Sequence, residues 1–143
     1  MKKLLVLAAA LLLWSSVVVL ADPPSRVGRV GFIEGMVNFR DADQDDWTAA
    51  TLNYPVTGGD ALSTGDDART EIQIENGAVR LDRATELEVP ALDDQYTNFR
   101  LLRGTVSLSF PTIPEGGPVT VETGRGTVHL LSPGRYRIEA GDG

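Results

Sequence analysis

The 143-residue chain has 42% hydrophobic residues, 15 glycines, no cysteine and a formal net charge of −7. This is the composition of an ordinary globular domain, and it excludes a disulfide framework or a lipid-modified cysteine. Both lysines, Lys2 and Lys3, sit at the extreme N-terminus, so the rest of the chain sets 11 arginines against 20 acidic residues; that balance argues against nucleic acid, and Schiff-base or P-loop chemistry has no lysine to use.

The first segment, "MKKLLVLAAALLLWSSVVVLA", places two cations before the apolar run Leu4 to Trp14 and ends on small residues at Val19 and Ala21. This pattern predicts a helical secretory signal over residues 1–21, cut after Ala21, and a periplasmic or secreted domain over 22–143. The alternative is an uncleaved membrane anchor, because Leu4 to Ala21 approaches the length that crosses a bilayer.

Beyond it the apolar period is two. "MVNFR" reads as a strand, and "DADQDDW" as the solvated acidic hairpin tip that joins it to "DWTAATL". Asp41, Asp43 and Asp45 have the alternate spacing of a calcium loop, yet Asp46 stands where glycine is needed and Leu52 where a bidentate Glu is needed. No metal or other cofactor is expected. In "GGDALSTGDDART", Gly58-Gly59-Asp60 predicts a turn, Ala61 to Thr64 a short strand and Gly65-Asp66-Asp67 a second turn. A phosphate cradle is disfavoured there, since no helix and no lysine follow.

The next stretch, "RTEIQIENGAVRLD", predicts a hairpin. Thr70, Ile72 and Ile74 share its inner face with Val79 and Leu81, and Asn76-Gly77 supplies two positive-φ turn positions. Further strands are expected in "TELEV" (Leu87 and Val89 inward), "TVSLSF" (Val106, Leu108 and Phe110 inward), "TVHLL" and "RYRIE" (Tyr136 and Ile138 inward). No window shows a capped 3.6-residue period, so the class is all-β.

A pentad, Gly-x-Val-x-(Phe or Leu), recurs at Gly35, Gly77, Gly104 and Gly126. Each copy is expected to start a strand, with a positive-φ glycine and a buried Val and Phe or Leu. The irregular spacing suits a short, distorted β-solenoid-like stack of hairpins, with a β-sandwich as the alternative.

The run from Trp47 to Val89 resembles the FecR-like domain of bacterial envelope proteins. The resemblance is carried by Val56, Gly59, Asp60, Leu62, Thr64 and Gly65, followed by two alternating strands, and it extends over roughly Arg26 to Gly143. "FRLLRGTVSLSF" and "VETGRGTVHLLSPGRYRIEAGDG" resemble the remaining strands of an exported subgroup without an assigned function. In the iron-citrate regulators that name the family, a cytoplasmic anti-sigma segment precedes a membrane helix and a periplasmic domain. Only Met1 to Lys3 precede the apolar run here, so the resemblance implies the envelope domain and not the whole transducer. The chain stops at "EAGDG", directly after an expected strand, where members of that subgroup are expected to continue; the domain is therefore read as C-terminally truncated or complete, both left open.

No catalytic cluster emerges. Glu86 and Glu88 flank Leu87, with Asp93-Asp94 beyond, but no apolar pocket is evident to raise one carboxyl pKa. His129 is the only histidine, alternates with Val128 and Leu130, and has Ser132 nearby without a nucleophile elbow. The expected contact surface consists of Arg100, Arg103, Arg135, Arg137 and Trp47, with Glu86, Glu88 or Glu122 as cross-strand ion-pair partners for the arginines. The chain therefore reads as a non-enzymatic sensing, scaffold or protein-interaction module whose partner is an envelope protein or cell-surface polymer, engaged through strand faces or by β-augmentation. A carbohydrate- or cell-wall-binding module is the alternative, with Trp47, Tyr54, Tyr96, Phe99 and Tyr136 as its aromatic candidates.

Overall fold

The computed structural model describes residues 26–75 and 77–141. The expected signal helix over residues 1–21 and the turn residue Asn76 lie outside the described residues. Alternation of apolar and polar side chains governs what is described: twelve strands and no helix. They are β1 (Gly28–Glu34), β2 (Val37–Arg40), β3 (Thr48–Ala49), β4 (Pro55–Val56), β5 (Ala61–Thr64) and β6 (Arg69–Ile74). The second half adds β7 (Gly77–Leu81), β8 (Glu86–Leu92), β9 (Thr97–Phe110), β10 (Val119–Thr123), β11 (Gly126–Leu130) and β12 (Gly134–Ala140).

The strands form one sheet in the order β3-β2-β5-β8-β9-β7-β6-β1-β4, with β10 and β12 also against β9 and β11 against β10. Every pairing is antiparallel except β9 with β10. The sheet curls into a half-barrel. This replaces the solenoid-like stack: β5 lies beside β8 and β1 beside β6, so hairpins interleave across the sheet where a solenoid would pile them in chain order.

Strand β9 makes the curl. Its first half buries Thr97, Phe99 and Leu101 and pairs with β8 and β10; its second half buries Val106, Leu108 and Phe110 and pairs with β7 and β12. The buried set moves from odd to even positions between Leu101 and Val106, and a register shift in β8 accompanies the change. Gly104, at φ +88, lies in that interval, and a Cβ there would stand 2.6 Å from Thr85 Cα. Only glycine fits both the dihedral and the approach. The pentad at Gly104 therefore marks a bend inside a long strand, whereas a strand start was expected.

Gly77 supplies a second correction. Ile74 pairs directly with Gly77, which lacks the expected positive φ, and Glu75 before it has a φ of 52°. Within the strand, position 77 requires glycine because a Cβ would meet the Phe110 ring, 2.5 Å from Cε1. The expected inner face is unaffected, with Thr70, Ile72, Ile74, Val79 and Leu81 all buried. In the fourth pentad only Leu130 is buried; Val128 is exposed on the outermost strand, β11.

Between the two halves of the curl, Phe39, Leu62, Ile72, Leu87, Phe99, Leu108, Phe110 and Val121 pack into one core. Each such side chain contributes about 1.5–3 kcal/mol on leaving water, and without cysteine this packing is the main source of stability. Arg26 closes the rim. It is 5% exposed, and its guanidinium donates to Glu75 Oε1 at 2.7 Å, the Asp93 carbonyl at 2.6 Å and the Glu115 carbonyl at 2.9 Å. A buried cation held by three separate loops is fully paired, so its desolvation is offset.

Candidate functional site

The glycine-acid motif proves to be internal bracing. Asp60 is 4% exposed, and its carboxylate accepts the Ala42 N–H at 3.0 Å, the Thr57 N–H at 2.7 Å and the Thr57 hydroxyl at 3.2 Å. The backbone on either side docks on β8, Gly59 N–H to the Val89 carbonyl and Val89 N–H to the Asp60 carbonyl. Leu62 fills the core, while the Thr64 hydroxyl donates to the Asp82 carbonyl at 2.6 Å and accepts the Thr85 N–H at 3.0 Å. Gly65 N–H reaches the Met36 carbonyl. These groups are spent on the fold.

The arginines divide into two sets, one on each side of the Gly104 bend. On the β8–β9–β10 side, Arg100 lies between Glu122 at 3.0 Å and Glu88 at 3.1 Å, and Arg103 pairs with Glu86 at 3.3 Å. The two carboxylates, Glu122 first, push Arg100 further up from its already high value. Glu88 also meets Arg40 at 3.5 Å, and the Arg40 guanidinium stacks 4.8 Å from the Trp47 ring centroid. One ladder thus runs across the sheet from Trp47 through Arg40, Glu88 and Arg100 to Glu122, each contact worth little alone.

Arg135 and Arg137 lie elsewhere, on β12 beside the second half of β9. Their outward row continues through Ser107 on β9 and Arg80 on β7 to Glu71 on β6 and Phe32 on β1. A cleft of 520 Å³ opens here, lined among others by Phe32, Arg69, Glu71, Arg80, Asp82 and Ser107. A second hollow of 330 Å³ adjoins it through Arg80 and Ser107 and reaches Arg135, Tyr136 and Arg137. Together they form a groove across five strands.

Its floor is formed by small side chains of β9, Ser107 and Ser109, and its walls are ion pairs. Arg80 Nε meets Glu71 Oε2 at 2.5 Å and Arg69 meets Asp82 at 3.1 Å. The Arg80 contact holds the Glu71 carboxyl below its usual range. Asp82 is lowered too, first by the Arg83 N–H and then by Arg69 and Arg137. Phe32 is the aromatic that lines the 520 Å³ cleft, 45% exposed, and it points outward because β1 slips register between Val30 and Phe32. Sequence reading passed over Phe32, Arg69, Glu71, Arg80 and Asp82 as site residues. The isolated Gly31 between two apolar residues was the available signal of a bulge.

The remaining candidates stay apart. The acidic tip over residues 41–46 is exposed except for the half-buried Asp41, which accepts the Tyr54 hydroxyl at 3.1 Å and so raises the Tyr54 pKa. Among the described residues no group of three or more His, Cys, Asp or Glu is placed to hold a metal ion. His129 is exposed on β11, its Nδ1 3.3 Å from the Thr120 hydroxyl. Glu86 and Glu88 are ion-paired with Arg103 and Arg100, and the small hollow beside Glu88 is lined by its partners Arg40 and Arg100.

A curled antiparallel half-barrel with a braced Gly-Asp turn and an ion-paired outer groove defines an all-β surface-presenting domain. The model of the family described as FecR protein matches residues 60–143, and the chain belongs to that family. The match begins at the braced Asp60 and takes in β5 to β12. No curated protein and no solved structure matches the chain. FecR proteins are envelope-associated sensing or regulatory proteins and are not known as enzymes. Among the described residues no helix is long and apolar enough to cross a membrane.

Proposed function

We infer that this chain is an exported envelope domain that senses or scaffolds by binding, without catalysis, and that the groove on the outer face of β1, β6, β7, β9 and β12 is where a partner protein docks. The observation that carries this reading is the exposed Phe32 set in a 520 Å³ cleft among paired arginines and carboxylates. An aromatic anchor ringed by charge supports a protein-recognition hot spot, since the ring supplies apolar area and the ion pairs supply orientation. Export rests on Lys2 and Lys3 followed by the apolar run that ends at Ala21.

A second reading has its own support. A planar ring beside arginines and carboxylates also suits a cell-surface sugar polymer, whose ring face stacks on Phe32 while its hydroxyls meet Glu71 and Asp82. Envelope fractions passed over immobilised wild type and Phe32→Ala separate these outcomes. Protein capture lost with Phe32→Ala supports the first reading; glycan-array binding lost with that change supports the second. Equal capture by both forms sinks the groove as the site. Mass spectrometry of the exported protein is expected to find Asp22 as the first residue, and a retained Met1 would refute cleavage.

A further inference from the structure

The sheet has four outer strands, and three of them are blunted. β3 and β4 are two residues long, and β11 is short with four of its five residues exposed. β12 differs. It runs seven residues, contains no proline, keeps continuous register with β9 from Gly134↔Phe110 to Ala140↔Gly104, and among the described residues pairs on one side only. No bulge or proline interrupts this edge, and its charged residues, Arg135, Arg137 and Glu139, all lie on the outer face.

We propose that the free edge of β12 pairs antiparallel with β12 of a second copy of this chain, about a two-fold axis at Ile138. The side chains decide the register. Arg135, Arg137 and Glu139 are exposed on the outer face, while Tyr136, Ile138 and Ala140 are half-buried against the core. A two-fold axis keeps each face with its own kind, so it passes through one residue and its copy. Centred on Tyr136, the axis sets Arg135 opposite Arg137; centred on Arg137, it pairs Arg135 with Glu139 but sets Arg137 against itself. Both registers oppose like charges.

Centred on Ile138, the axis places Arg137 opposite Glu139 of the second copy and Glu139 opposite its Arg137. Ile138 then meets Ile138, and Tyr136 covers Ala140. Charge and apolar faces are complementary in this register alone of the three, and the half-buried row of β12 gains the cover it lacks. The sheet continues through both copies and carries the two outer grooves side by side. Nothing in this depends on what fills them.

The test exploits the self-complementarity. Sedimentation of the full chain, in the form its producing cell delivers, is run from about 1 µM to about 1 mM. A reversible dimer is expected, with Arg137→Glu or Glu139→Arg alone weakening it about tenfold or more, because each sets two like-charge pairs across the axis. The double change, R137E with E139R, is expected to restore association. Because the chain has no cysteine, Ile138→Cys reports the axis directly by forming a disulfide-linked dimer under mild oxidation, which Arg69→Cys in mid-sheet does not. A monomer throughout the range, single variants that dimerise like wild type, or a double variant as weak as either single would overturn the proposal.

Discussion

Replacing Asp60 isolates what the Gly-Asp turn is for. Its carboxylate is 4% exposed and accepts two backbone N–H groups, from Ala42 at 3.0 Å and Thr57 at 2.7 Å, besides the Thr57 hydroxyl at 3.2 Å. A hydrogen bond to a charged acceptor contributes about 1.5–3 kcal/mol, and a buried N–H left alone costs about 1–3 kcal/mol. The hydroxyl can rotate away, so the two backbone bonds dominate. Asp60→Ala is then expected to cost about 3–5 kcal/mol, and Asp60→Asn about 1.5–3 kcal/mol, since the amide oxygen serves one N–H while its NH₂ faces the other. For a domain of this size the alanine change corresponds to a melting point lower by about 10–20 °C. Urea unfolding followed by circular dichroism, with a thermal melt beside it, reads both values. An alanine variant within about 0.5 kcal/mol of wild type would refute the bracing argument, as would an asparagine variant less stable than the alanine one.

Gly77→Ala is expected to cost about 1–3 kcal/mol, because the added methyl drives into the Phe110 ring, whereas Gly124→Ala, with nothing within 4 Å, stays within about 0.5 kcal/mol; equal unfolding midpoints for the two variants would show the approach to Phe110 to be harmless. Acid should weaken the fold through the groove wall. Glu71 is held below its ordinary value of 4.5 by Arg80, so its share of stability is present above pH 4.5 and is lost as pH falls through the lower folded value. Melting points between pH 6 and pH 3 (about) are expected to fall less steeply in Glu71→Gln than in wild type, and parallel curves would remove the Glu71–Arg80 pair as a contributor.

The local grammar was legible in the sequence because it depends on neighbours along the chain. Alternation named the inner faces of β6, β7 and β8, the turns around Gly59 and Gly65 bounded β5 at Ala61 and Thr64, and the acidic tip joined β2 to β3. FecR membership was legible too: the matched region, residues 60–143, starts at Asp60 and takes in Leu62, Thr64, Gly65 and the alternating strands that follow, while Val56 and Gly59 lie just ahead of it.

What the sequence left open was decided by contacts between residues far apart in the chain. Gly77 looks like a turn residue until Phe110, 33 positions later, closes on it. Gly104 looks like a strand start until β8 and β7 pair with opposite halves of β9 and require a bend there. The groove depends on a one-residue slip in β1 that turns Phe32 outward. A period of two tells which residues share a face; which face meets the core, and where a strand changes phase, follows only when distant strands compete for the same hydrogen bonds and the same interior volume.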